Sequence, residues 1–124
     1  MKLIFTILLS LSLLSLAAQQ ENENTLKQYM FVMYSKGPTR THDSVTSAQI
    51  QVNHQKHLDS LAALGVLIVA GPFAGDNDWR GILIFDVATK EQAEAYVKKD
   101  PAVLAGRLSY TIIPWFTQKG VCFK

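Results

Sequence analysis

Apolar residues occur along the chain in short blocks, and the spacing within each block indicates a strand or a helix. Four brief runs have the apolar and β-preferring composition of buried strands: residues 28–34, 66–70, 81–87 and 109–116. Two longer segments have apolar positions three and four residues apart, as on one face of a helix: residues 46–64 and 89–99. The predicted order of elements is therefore β-α-β-β-α-β.

The first predicted helix places its inward positions on one seam, formed by Ile50, His54, His57, Leu61 and Leu64. Thr46 and Gln49 fit a capping box at its start, and Gly65 is typical of a helix end. Thr89 and Gln92 repeat the capping-box pattern at the start of the second helix. Both helices thus have start signals in the sequence.

This order of elements predicts an α+β fold of the ferredoxin-like βαββαβ type, a four-stranded antiparallel sheet with both helices on one face. Pro114 predicts that the last strand lies at a sheet edge or leaves the sheet there, because proline cannot donate to a strand ladder. The strands are apolar on both faces, whereas the helices cover only one. We therefore expect a homodimer in which the uncovered face packs against a second copy, as in dimeric α/β barrels.

The first 18 residues have the order of a secretory signal peptide, with Lys2, an apolar stretch to Leu16 and the small pair Ala17-Ala18. The alternative is an uncleaved membrane anchor, but the apolar stretch of about 14 residues is shorter than the roughly 20 that a membrane span needs. Residues 19–27 are expected to be a polar lead-in, residues 28–118 the folded domain and residues 119–124 a tail. The protein is expected to be exported to the periplasm or secreted, and its intact mass should place the new N-terminus near Gln19 or Gln20.

Composition narrows the classes of function. The chain has 124 residues, enough for one domain, with 48% hydrophobic residues and a formal charge of +2. Its cations are scattered and not interleaved with aromatic residues, which argues against nucleic-acid binding. Cys122 is the only cysteine, so the chain has no intramolecular disulfide and no cysteine-cluster zinc site.

The candidate chemistry centres on His57 and Asp100, because each residue is locally unfavourable alone. His57 lies on an apolar seam, where a buried imidazole needs a hydrogen-bond partner. Asp100 follows the second helix, at the negative end of its dipole, and can also cap a short turn that begins at Pro101. One carboxylate can accept from both an imidazole and a backbone N–H. We therefore predict that the two side chains form an acid–base pair, with a structural role for His57 as the alternative.

Several of these residues resemble those of the YCII-related domain family. The resemblance rests on His57-Leu58, the strand that runs into Ala70-Gly71-Pro72, Asp100-Pro101 with Ala105-Gly106, and Pro114-Trp115. It covers about residues 28–116. It implies a ferredoxin-like fold, a dimer, and a pocket with a catalytic His–Asp pair, which would be His57 and Asp100.

The expected function is that of an enzyme acting on a small molecule by elimination, isomerisation or hydrolysis. The alternative is an exported binding or stress-related module that uses the same pocket without turnover. Gly71, Pro72, Tyr34 and Arg107 are the predicted substrate-binding residues. No cofactor is predicted. His54, His57 and Asp100 together could resemble a two-histidine, one-carboxylate metal site, but two histidines on a helix seam are common by chance, and no metal is predicted.

Overall fold

The computed structural model describes residues 25–121. Its elements follow in the order β1 (Leu26–Lys36), α1 (Ser44–Ala63), β2 (Leu67–Pro72), β3 (Trp79–Phe85), α2 (Lys90–Val97), α3 (Pro101–Leu104) and β4 (Leu108–Gln118). Residues 28–117 form one compact unit, and the described residues on either side of it, 25–27 and 118–121, belong to a second unit. Among the described residues of the second unit, the backbone N–H of Lys119 donates to Thr25 O at 3.2 Å.

The four strands form one antiparallel sheet in the order β2-β3-β1-β4. In the β1–β3 pair Val32 lies opposite Leu83, and in the β2–β3 pair Ala70 lies opposite the same Leu83. The order is that of the ferredoxin-like fold, so the predicted α+β class is confirmed. The prediction from Pro114 is also confirmed, because β4 is an edge strand. The other edge strand, β2, has Pro72 as its last residue.

The core lies between one face of the sheet and the two longer helices. Alternate residues of β1 point into it, as the two-residue period of a strand requires: Met30, Val32 and Tyr34. Leu58 and Leu61 of α1 and Ala93 and Val97 of α2 pack against this face. Both helices therefore cover the same side of the sheet, and the intervening residues of β1 point to the other side.

Two expectations about α1 were wrong. The N-cap is Asp43, not Thr46: the Asp43 carboxylate accepts from the backbone N–H and the hydroxyl of Thr46, at 2.8 and 2.9 Å. Leu64 is 69% exposed because it is the C-cap, one residue past the end of the helix. Gly65 ends the helix as predicted, with φ at +73°, a value that glycine adopts without strain. The capping box of Thr89 and Gln92 on α2 is also confirmed.

The predicted signal peptide, residues 1–18, and Cys122 lie outside the described residues, so export stays a prediction. Within residues 25–121, no helix combines the length and the apolar character needed to cross a membrane.

Candidate active site

A cavity of about 310 Å³ opens at one end of the sheet, between α1 and the ends of the strands. All four predicted substrate-binding residues line it: Tyr34, Gly71, Pro72 and Arg107. From α1, the cavity is lined by Gln51, His54, Gln55 and Leu58. Gln51 and Gln55 are four residues apart, and so are His54 and Leu58. All four side chains therefore lie on one face of α1. The volume is at the lower end of the range for small-molecule sites.

Asp100 lies behind this wall with its side chain fully buried. Its carboxylate is 2.8 and 2.9 Å from His54 Nδ1, through Oδ2 and Oδ1. The Tyr34 hydroxyl donates to Oδ2 at 2.7 Å, and the Ala102 backbone N–H donates to Oδ1 at 2.8 Å. The carboxylate thus joins β1, α1 and α3 at one point.

The local sequence explains why Asp100 lies there. Asp100 is the N-cap of α3, and Pro101 occupies the first helical position, where the missing N–H costs nothing. The predicted capping role of Asp100 is therefore confirmed. Tyr34 reaches the carboxylate because it follows Met30 and Val32 on the helix-facing side of β1. Its ring also meets that of His54 edge-on, with centroids 6.0 Å apart.

The hydrogen bonds determine which groups carry protons. Burial on its own would raise the pKa of Asp100, but the hydrogen bonds from His54 and Tyr34 outweigh it and hold that pKa below its ordinary value. Burial raises the pKa of Tyr34 well above its ordinary value, and the charge of Asp100 adds to this. Asp100 is therefore an ionised acceptor and Tyr34 a donor. His54 Nδ1 must then carry the proton it shares with Asp100, which leaves Nε2 as the ring nitrogen that can accept a proton.

The predicted pairing of His57 with Asp100 was wrong. Asp100 pairs with His54, one turn earlier on α1, and His57 does not line the cavity. Instead His57 Nε2 is 3.0 Å from Tyr96 O, near the end of α2, and a carbonyl can only accept. His57 therefore donates to a carbonyl in the last turn of α2, which also accepts from the backbone N–H of Lys99 at 3.1 Å. This hydrogen bond supports the alternative interpretation of His57, a structural role.

The sequence of α1 carries no local signal that separates His54 from His57. The half-buried and buried positions of α1 include both histidines, together with Ser47, Ile50, Leu58 and Leu61. Each histidine also lies four residues before a buried leucine, His54 before Leu58 and His57 before Leu61. The partner of Asp100 is therefore decided by the tertiary structure.

Two cavity residues that sequence reasoning missed are Arg40 and Arg80. Arg40 follows a loop that is joined to the end of α3 by two backbone hydrogen bonds, Gly37 N to Arg107 O and Thr39 N to Gly106 O, both 2.9 Å. These bonds place Arg40 beside Arg107. The composition held a signal, because the chain has nine lysines but only three arginines, and all three arginines line this cavity.

Within the described part of the chain, no three His, Cys, Asp or Glu side chains are grouped so that they could hold a metal ion. The set considered from sequence was His54, His57 and Asp100. It is separated in space because His57 donates to Tyr96 O while His54 contacts Asp100.

The fold and the site define a small α+β domain with a histidine–aspartate pair at the wall of a cavity. The sequence profile of the YCII-related domain matches residues 27–116. The chain therefore belongs to the YCII-related domain family, as the resemblance indicated.

Among solved structures, the chain is similar to 5-chloro-2-hydroxyhydroquinone dehydrochlorinase (TftG) from Burkholderia phenoliruptrix AC1100, in complex with 2,5-dihydroxybenzoquinone. The TM-score is 0.52 at 23% sequence identity, covering 69% of this chain and 92% of that chain. At this identity the similarity shows the fold. A search of curated proteins finds no match.

Proposed function

We propose that this protein is an enzyme that moves a proton on a small molecule bound in the cavity, with His54 as general acid–base and Asp100 as its positioning residue. The proposal rests on the chain of contacts from Tyr34 through Asp100 to His54. These contacts hold Nδ1 of His54 against Asp100 and leave Nε2 to act on a ligand. A base prepared in this way typically accelerates proton transfer by about 10²–10⁴-fold.

No serine, threonine or cysteine of the described residues lines the cavity. The chemistry that best suits a single base in such a cavity is elimination or isomerisation. Nε2 of His54 would take a proton from carbon, and the C–H electron pair would form a double bond to the neighbouring atom. In an elimination the leaving group departs with the electron pair of its bond as the double bond forms, and the imidazolium then releases its proton to solvent. In an isomerisation the imidazolium returns the proton to a different carbon of the substrate. The name of the structural neighbour, a dehydrochlorinase, describes a reaction of this type and supports the proposal.

Proton removal can be tested without knowing the natural substrate. The protein is incubated in D₂O with small carbon acids, including hydroxyquinones and the neighbour's chlorinated hydroxyhydroquinone, and exchange is followed by NMR. We expect exchange or chloride release with the wild-type protein, and about a 10²–10⁴-fold loss in His54→Gln. His57→Gln is the matched control, three residues away on the same helix, and should keep the wild-type rate per folded molecule.

Equal rates in His54→Gln and wild type would contradict the role of His54. Binding of panel compounds without any exchange would overturn the enzyme proposal and favour the binding module.

A further inference from the structure

The three arginines give the cavity wall a net positive charge. Arg40, Arg80 and Arg107 line it, and neither a carboxylate nor a lysine of the described residues is among the lining groups. The nearby carboxylate of Asp100 is buried behind His54 and already accepts from three donors. The positive charge that faces the cavity is therefore not neutralised by an acidic group in its wall.

The arginines also retain donors that the described residues do not use. Arg40 donates through Nη1 to Arg107 O at 3.1 Å, and Arg107 donates through Nη1 to Ser47 Oγ at 3.1 Å. Arg80 Nε is buried and has no hydrogen-bond partner within the described residues. Its ion-pair contact is Nη2 to the fully exposed Asp76 at 3.9 Å, a weak interaction. A guanidinium has five N–H donors, so most of this capacity is open to a ligand.

Holding three like charges around one small cavity is unfavourable. The pKa of Arg40 is below its ordinary value, first because of burial and then because of the positive charges of Arg107 and Arg80. An anion in the cavity would remove this repulsion, and low-dielectric walls would concentrate the field on it. The remainder of the wall is largely apolar, with Leu58, Pro72 and Leu108 among its residues.

We infer that the cavity binds a small organic carboxylate with an apolar body, whose carboxylate oxygens are held by Arg40, Arg80 and Arg107. The planar fork of arginine matches the two oxygens of a carboxylate, whereas lysine offers only a point charge. The apolar body would lie against Leu58 and Leu108, within reach of His54. The inference rests on the proposed function in taking this cavity as the substrate site, and it names the class of substrate.

Isothermal titration calorimetry tests this with benzoate, its neutral analogue benzamide, and phenyl phosphate as probes. We expect benzoate to bind at least about tenfold more tightly than either of the others. Arg80→Gln and Arg107→Gln should each weaken benzoate binding about 10- to 100-fold, the range for a lost hydrogen bond to a charged group. Lys56→Gln removes one positive charge from α1 outside the cavity wall and should change the affinity less than twofold. Circular dichroism and the melting temperature identify any variant that fails to fold, and Arg80→Lys then keeps the charge while removing the fork.

The outcomes separate this inference from the proposed function. Benzoate binding that depends on the arginines, without deuterium exchange on any panel compound, supports the inference and overturns the enzyme proposal. Deuterium exchange on neutral compounds without benzoate binding supports the enzyme proposal and overturns the carboxylate inference. Benzamide binding as tightly as benzoate, or tighter binding of phenyl phosphate, overturns the carboxylate class.

Discussion

Asp100 accepts hydrogen bonds from three separate parts of the chain, and these bonds make protein stability depend on its ionisation. One bond caps α3, one orients His54 and one comes from Tyr34. Because the folded state holds the pKa of Asp100 below its ordinary value, the unfolded chain binds the proton more readily. The resulting stabilisation is fully present above the unfolded pKa of about 3.9 and is lost as pH falls through the lower folded value.

Asp100→Asn should therefore flatten the acid side of the stability profile. Asparagine can still accept from Ala102 N–H, so α3 stays capped. At neutral pH we expect a loss of about 1–3 kcal/mol in the free energy of unfolding, because the charged acceptor is gone. Urea unfolding between about pH 2 and pH 7 measures both effects. Asp76→Asn, at a fully exposed side chain, is the control. Parallel profiles for Asp100→Asn and wild type would show that ionised Asp100 contributes nothing to stability.

At the scale of elements, the close approach of two loops forms the cationic side of the cavity. Residues 37–39 lie against residues 106–107 through two backbone hydrogen bonds. A Cβ on Gly37 would collide with the backbone of Gly106 and Arg107. Only glycine at position 37 allows this approach, so the side chains of Arg40 and Arg107 depend on it for their relative position.

Gly37→Ala should separate the two loops. We expect a loss of about 1–3 kcal/mol in stability from overpacking, together with weaker benzoate binding in the folded fraction. Gly71→Ala is the matched stability control, because a Cβ there meets nothing within 4 Å and the backbone is not in the left-handed region. Chemical denaturation measures the stability of both. A Gly37→Ala protein as stable as wild type, with unchanged benzoate affinity, would contradict this account.

The elements themselves were largely predictable, because strands and helices have local periods that a sequence shows directly. The pairing within the site was not. His54 and His57 lie three residues apart on α1, so their directions differ by only about 60°. Which histidine contacts Asp100 depends on how α1 packs against the sheet through Leu58 and Leu61. Those packing contacts involve residues that are distant in sequence. The arginine cluster was missed for the same reason, since its members come from three segments that only the fold brings together.

For the whole molecule, the second face of the sheet remains apolar. Phe31 and Met33 lie between the core residues of β1, so they point away from the helices. Ile84 pairs with Phe31 in the sheet, and Trp115 contacts the Phe31 ring with centroids 6.4 Å apart. Ile113 of β4, 53% exposed, extends this surface. An apolar patch of this kind typically marks an interface.

We expect the protein to be a homodimer formed through this face. Light scattering at micromolar concentration should give twice the mass of one chain. Ile113→Glu should give a single chain, because it would place a charge inside the interface. Leu104→Glu is the control, since Leu104 is an exposed apolar residue of α3, on the opposite side of the sheet. A monomeric wild-type protein would contradict the proposal.

The prolines in the two edge strands bear on how this apolar sheet avoids aggregation. Pro72 in β2 and Pro114 in β4 each remove one backbone N–H from an outer strand. A sheet grows into a fibril when a new strand adds to an edge through an unbroken row of donors and acceptors. Pro114 interrupts this row within β4, and Pro72 ends it at the last residue of β2. The fold therefore disfavours indefinite strand addition while leaving the sheet face free for a closed, two-membered assembly.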